Sequence, residues 1–239
     1  MRMNYTKSDL MAVTIARYLK SVKSCFHGLA SPLPMVSIML ARKLYNSELI
    51  YLNITGGINI CNVPLCISTD SSNLYNSSRS VFNLTDIFDL AARGGLEVAF
   101  LSGGQVDALG QVNNSCIGPF VRPKVKLPGG AGSAVLIPNA RRAFIWKSRH
   151  EKRGFIKKVD FVTSYGNVDY VFTPLCVFKK TKGRLMLVNI MPDTTIQEII
   201  ENTGFKVTIN AATVINEPTQ AEMQALLEID PSRIRDSEF

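Results

Sequence analysis

The sequence predicts an α/β fold, a mostly parallel sheet with flanking helices, in a single domain over residues 1–239. Three observations carry that expectation. Short apolar runs stop at glycines, as in ELIYLNITGGINI at 48–60 and LEVAFLSGG at 96–104; such runs read as buried strands entering tight turns. Segments with helical spacing and capping signals lie between and after them. An apolar content of 46% over 239 residues is enough to bury a large core.

The elements follow in chain order. SDLMAVTIARYLKSVKS at 8–24 places Leu10, Val13, Ala16 or Arg17, and Leu19 near helical spacing behind Ser8 as N-cap. A Pro-rich loop around Pro32 and Pro34 leads to a second helix, PMVSIMLARKLYNS, that ends at Asn46. The strand at 48–54 comes next, then CNVPLCISTDSSNLYNSSRS, which reads as an irregular loop whose 67–80 portion is able to fold over a site. A short helix is expected at 86–93, stopped by Gly94 and Gly95, and then the strand before Gly103. The two junctions of strand and glycine turn fit repeated strand and helix units whose turns share one sheet edge. Further strands are expected at RRAFIWKS, KKVDFVTS, DYVFTPLCVFKK, RLMLVNI and KVTIN, and helices at TTIQEIIENTG and PTQAEMQALLEIDP. In the last of these, Thr219 and Glu222 make a capping box.

Composition narrows the class. No apolar run reaches the roughly eighteen residues of a membrane span, and MRMNYTKSDL lacks the apolar stretch of a signal peptide, so a cytoplasmic protein without membrane contact is expected. The sequons at Asn53, Asn76, Asn83 and Asn113 are then chance matches. Cys25, Cys61, Cys66, Cys116 and Cys176 are scattered, no Cys-x-x-Cys or nearby histidine completes a metal site, and they read as free, mostly buried thiols. The net charge of +8 peaks in RRAFIWKSRHEKRGFIKK at 141–158, but no nucleic-acid motif accompanies it. A phosphorylated small molecule or an acidic partner subunit explains the charge as well, and no nucleic-acid partner is expected.

Chemistry-bearing residues are few. At the end of the strand 48–54, where a reactive group would be expected, only the Thr55 hydroxyl is available, followed by Gly56. In LSGGQVDALGQVNNSCIGPF, Gly103 and Gly104 are either turn glycines or places where a ligand meets the backbone, with Gln105 and Asn113 offering amides and Asp107 fixing the loop. In KVKLPGGAGSAVLIPNARR, Gly129, Gly130 and Gly132 around Ala131 can expose several N–H groups to an oxyanion or phosphate, though no Gly-Lys-Ser/Thr of a nucleotide-triphosphate loop follows. His150, with Glu151, Lys152 and Arg153, reads as a solvated or subunit-facing charged loop, and Arg141 and Arg142 are candidates for a phosphate.

Six segments in this order, AVTIAR at 12–17, SGGQVDALGQVN at 102–113, KLPGGAGSA at 126–134, HEKRGFIKKVDFVTS at 150–164, ENTGFKV at 201–207 and EPTQAEMQALLEIDP at 217–231, resemble the B (or β) subunit of the glutaconate type of family I CoA-transferases. The resemblance implies the fold of that superfamily, and an A subunit, in a heterotetramer or larger, that completes the active site. It implies CoA as part of the substrate rather than a bound cofactor, and CoA transfer from an acyl-CoA to a carboxylate. In the family a B-subunit glutamate, in a Ser-Glu-Asn-Gly pattern, forms an acyl anhydride and then a glutamyl-CoA thioester. Aligning Gly56 with that glycine puts Ile54 in the glutamate's place, within Asn53-Ile54-Thr55-Gly56. Gln111 and Ala131 depart from the family pattern as well. The slot without glutamate is similar to that of a branch of CoA-ester hydrolases that open rings, whose essential glutamate lies on the A subunit. A subunit that only binds CoA is the remaining implication. Carried over, the substrate-binding positions are Thr55, Gly56, Gly103, Gly104, Gln105, Asn113, Gly129, Gly130 and Gly132, with no catalytic residue assigned to this chain.

Overall fold

A computed structural model describes residues 4–60 and 63–239. The chain groups into two units, Met1–Phe100 with Glu217–Phe239, and Leu101–Asn216. Cys61 lies outside the described residues.

The first unit runs α1 (Lys7–Tyr18), β1 (Ser24–His27), α2 (Pro32–Leu44), β2 (Ile50–Asn53), β3 (Gly57–Ile60), α3 (Ser72–Asn76), β4 (Ser78–Val81), α4 (Leu84–Ala92) and β5 (Val98–Leu101). Its strands lie in the order β5-β1-β2-β3-β4. β1 pairs in parallel with both β2 and β5, so the ends of β2 and β5 share one sheet edge, as their glycine turns suggested. α2 is the crossover that a parallel pair requires. β3 and β4 return antiparallel.

Three expectations fail in this unit. The first helix is capped by Thr6, not Ser8: Asp9 N–H donates to Thr6 Oγ1 at 3.2 Å and Thr6 N–H donates to the Asp9 carboxylate at 2.9 Å. It also ends at Tyr18, short of the expected 24, and Ser24–His27, of which only Ser24 was read as helix and the rest was assigned no element, is a strand buried on both faces. The 67–80 segment is not irregular, because α3 and β4 occupy most of it. The C-terminal helix Gln220–Ile229 has the expected Thr219–Glu222 capping box. Arg17 grips the Glu222 carboxylate through Nε and Nη2, each at 2.7 Å, which ties that helix to α1.

The second unit contains the short strands β6 (Gln105–Val106), β7 (Val112–Asn113), β8 (Cys116–Ile117) and β9 (Val125–Lys126). They are followed by α5 (Ser133–Asn139), β10 (Arg142–Trp146), β11 (Val168–Phe172), β12 (Cys176–Thr181), β13 (Arg184–Ile190), α6 (Ile196–Asn202) and β14 (Ile209–Val214). The larger strands lie in the order β14-β13-β12-β11-β10, with parallel pairs at β10/β11 and β13/β14 and antiparallel hairpins between. Phe155, Phe178 and Phe205 meet with ring centroids 6.0 to 6.5 Å apart in the core of this unit. DYVFTPLCVFKK is two strands, broken at Thr173 and Pro174, and the final strand starts at Ile209, beyond most of KVTIN. KKVDFVTS is not a strand; its last residue, Ser164, and Phe155 just before it make only isolated bridges, to Val112 and Val106 respectively.

Candidate functional site

The turn after β2 is closed by Asn53. This residue is fully buried, and its Oδ1 accepts from Thr55 N–H at 3.1 Å, Thr55 Oγ1 at 2.5 Å and Gly57 N–H at 3.2 Å. Its Nδ2 is buried without a partner among the described residues. Gly56 has a φ of +90°, and a Cβ there would lie 2.3 Å from the Phe82 carbonyl oxygen, so both conformation and space demand glycine. Ile54 and Thr55 are half-buried at the tip. The Thr55 hydroxyl gives its proton to a neutral amide oxygen, which is no general base, so nothing within this turn activates it as a nucleophile.

Beside this turn stands a residue that sequence reasoning missed. His27 ends β1 directly opposite Asn53, on the same face of the sheet. Nε2 lies 2.6 Å from the Tyr51 hydroxyl, and Nδ1 lies 3.0 Å from Gly28 O and 2.9 Å from Ser31 Oγ. Burial lowers its pKa to about 4, so the ring is neutral; with Nδ1–H donating to Gly28 O, Nε2 accepts from Tyr51. Thr69 Oγ1 donates to the same carbonyl at 3.2 Å and pins the following segment to it. A histidine preceding glycine was the available signal, in a stretch, 25–28, to which the sequence reading assigned no element.

In the second unit the structure brings the two glycine clusters together through Asn114. Its Oδ1 accepts from Gly104 N–H at 3.0 Å, and its Nδ2 donates to Ser102 O at 3.0 Å. Its carbonyl accepts from Gly129 N–H at 2.7 Å, and its own N–H donates to Thr163 Oγ1 at 2.8 Å. Lys147, just after β10, donates to the carbonyls of Gly103 and Gly104, and burial lowers its pKa to about 8. Asp107 fixes its loop as expected, Oδ1 accepting from the N–H groups of Leu109 and Gln111 at 2.9 and 3.1 Å.

The glycine turn beyond is open. Gly129 has a φ of +100° and Ala131 one of +41°. The N–H groups of Gly130, Ala131 and Gly132 find no acceptor among the described residues, whereas Ser133 N–H folds back to Gly130 O at 2.8 Å. Successive outward N–H groups in such a turn form a concavity suited to an oxyanion.

Several sequence-predicted site residues turn inward instead. Gln105 and Asn113 are buried, and their amides pair with each other at 2.7 Å rather than facing a ligand. His150 is no solvated loop residue: it is buried with Nδ1 and Nε2 each 2.9 Å from the hydroxyls of Thr173 and Thr203, stacked on Phe155, and burial lowers its pKa to about 3. Arg142 is engaged with Asp169 at 2.7 Å and lies over the Phe144 ring. Among the described residues no group of three or more His, Cys, Asp or Glu is placed to hold a metal, and no helix is long and apolar enough to cross a membrane.

Comparison with known proteins identifies the family. The chain is 29% identical over 95% of its length to the B subunit of 3-oxoadipate CoA-transferase from Pseudomonas knackmussii, covering 94% of that protein. It is 27% identical over 96% of its length to the B subunit of glutaconate CoA-transferase from Acidaminococcus fermentans, again covering 94% of the relative. The crystal structure of the decarboxylase AibA/AibB contains a chain that superposes with a TM-score of 0.92 at 27% identity, covering 98% of this chain and 99% of that one. Residues 9–202 match the family described as coenzyme A transferase. This chain belongs to the coenzyme A transferase family.

Proposed function

We propose that this chain is the B-type component of a heteromeric enzyme acting on an acyl-CoA thioester, paired with an A-type subunit in a heterotetramer or larger assembly, with CoA entering as part of the substrate. The relatives named as B components of CoA-transferases support the pairing. The observation that carries the chemical reading is the turn at 53–57, which holds no carboxylate: Ile54, which the alignment through Gly56 sets against the family's glutamate, is apolar, and the Thr55 hydroxyl donates to Asn53. A glutamyl-CoA intermediate on this chain needs a carboxylate there. The carboxylate or base therefore comes from the partner, while the open N–H groups of Gly130, Ala131 and Gly132, backed by Gly103, Gly104 and Gly129, hold the thioester oxygen as charge develops on it.

Hydrolysis of the CoA ester fits this division of labour, with water taking the place of the carboxylate acceptor. A second reading, transfer to a carboxylate through a nucleophile on the A subunit, is favoured by the transferase names of the same relatives. Co-expression with an A-type subunit and an assay of acyl-CoA esters for free thiol, with and without acetate or glutarate, separates them. Thiol release without acceptor is expected, together with no carboxylate of this chain reduced by borohydride to the alcohol or converted by hydroxylamine to the hydroxamate, the products either reagent leaves when it displaces CoA from an enzyme thioester. A residue so modified on this chain would overturn the assignment.

A further inference from the structure

The charge of this chain is concentrated. Residues 118–165 contain eleven Lys and Arg against only Glu151 and Asp160, a net of +9, and the rest of the chain carries sixteen basic and seventeen acidic residues. The glycine turns account for the thioester end of the substrate and leave this charge without a role.

Part of it forms one continuous surface. The β8–β9 hairpin is exposed over 120–126, with Phe120 65% exposed. Two contacts join it to residues 156–165. Asp160 Oδ2 accepts from Gly118 N–H at 3.0 Å, and Phe120 stacks on Phe161 with centroids 4.8 Å apart and planes at 20°. The joint is supported from inside: the same Asp160 oxygen accepts from Gln105 Nε2 at 3.1 Å, and Gln105 Oε1 accepts from Asp160 N–H and from Asn113 Nδ2. The amides that the sequence offered as ligand contacts thus position this surface. With Asp160 turned to Gly118 and Gln105, the exposed Arg122, Lys124, Lys126, Lys157 and Lys158 have no ion-pair partner among the described residues.

Five unpaired cations beside an exposed aromatic stack match a flat base bearing several phosphates, since rings stack bases and ammonium and guanidinium groups take phosphate oxygens. Lys126 precedes Gly129 by three residues, so this surface borders the oxyanion turn, within about 11 Å of extended chain. We propose that the β8–β9 hairpin and residues 156–165 seat the 3′-phosphoadenosine diphosphate end of the CoA ester. Phe120 stacks the base and the surrounding Lys and Arg side chains neutralise the phosphates. This rests on the acyl-CoA reading above and adds where the nucleotide lies.

The test is titration calorimetry of CoA, dephospho-CoA and pantetheine against the assembled heteromer, for wild type, Lys124→Glu/Lys126→Glu and Phe120→Ala, alongside steady-state turnover of the acyl-CoA. The double charge reversal is expected to weaken CoA by roughly a hundredfold and Phe120→Ala by roughly tenfold, with pantetheine affinity unmoved in both and the salt dependence of CoA binding flattened in the double variant. Wild-type CoA affinity in the double variant overturns the seat. So does loss of co-purification with the partner, which would make this face a subunit interface. If the wild type turns over no CoA ester yet loses CoA binding on charge reversal, the reaction assigned above fails and the seat stands. If turnover is intact and the variants keep the wild-type KM, the seat fails and the reaction stands.

Discussion

Two turns of this molecule treat their backbone donors in opposite ways. At 53–57 the N–H groups of Thr55, Gly56 and Gly57 all go to Asn53, and an apolar side chain, Ile54, is left at the tip. At 129–132 three consecutive N–H groups go to nothing within the described residues. Closing a turn on its own side chain stabilises it, whereas leaving donors open gives up that stability in exchange for an anion site. The contrast teaches that the two glycine turns differ in what they offer a ligand: the one at 53–57 has committed its donors to its own asparagine, and the one at 129–132 has three left to give.

Acid is expected to act most strongly, because a buried neutral histidine lies in each unit. The ordinary histidine pKa of 6.5 falls to about 4 for His27 and about 3 for His150, in both cases through burial. Between those values the unfolded chain binds protons that the folded chain does not, so stability is complete above pH 6.5 and declines as pH falls toward the folded values, by up to about 1.4 kcal/mol per pH unit for each ring. Glu238, raised to about 7 by burial, opposes this over the upper part of the window. Urea midpoints from pH 7.5 to pH 4.5 should fall, and His27→Gln should reduce the slope; an unchanged slope would place the sensitivity elsewhere.

Gly56→Ala comes next. The added Cβ meets a backbone oxygen at 2.3 Å in a left-handed turn, so a loss of about 3 kcal/mol is expected from urea denaturation. Asn114→Ala probes the other region: removing its contacts to Gly104 and Ser102 should lower stability by about 2 kcal/mol and kcat/KM by roughly tenfold, because the two glycine turns lose their common tie. Equal effects on activity from Asn53→Ala and Asn114→Ala would erase the distinction between the regions.

The α/β class was legible because glycine-bounded apolar runs and the Thr219–Glu222 box are local signals with local causes. Strand β1 was not, since SCFH is buried on both faces and so lacks alternation, and it follows a helix after a single turn. KKVDFVTS shows the reverse error: its alternation imitates a strand, yet its final Ser164 and the preceding Phe155 form only single bridges. At the candidate site, the sequence singled out the glycine clusters by their spacing, and the structure shows turns there. It could not show that Gln105 and Asn113 satisfy one another, that the tie between the turns is Asn114, or that His150, amid charged neighbours, has its ring buried between two threonines. Those facts depend on partners about ten to fifty residues away.

Ile54→Glu tests whether the first turn is inert only for lack of a carboxylate. Placing a half-buried acid there should cost about 1 kcal/mol of stability. Mass spectrometry after incubation of the heteromer with acyl-CoA and borohydride should then detect a modified Glu at this position. A clean spectrum would mean that the turn geometry, and not the side chain alone, has left the reactive position.

The smallest effect is expected at Ala131. A φ of +41° holds this alanine in a left-handed conformation that costs an L-residue about 1 kcal/mol. Ala131→Gly removes that strain but returns to the unfolded chain a similar conformational entropy, so the net stability change should stay within about 0.5 kcal/mol. Activity is the sharper readout, because the N–H of residue 131 is one of the three open donors. If strained alanine is what fixes their direction, the glycine variant will hold the thioester oxygen less firmly and kcat will fall about twofold to fivefold at unchanged stability. If kcat rises instead, the alanine is a brake on the turn, and its open donors are held away from the geometry that the reaction uses.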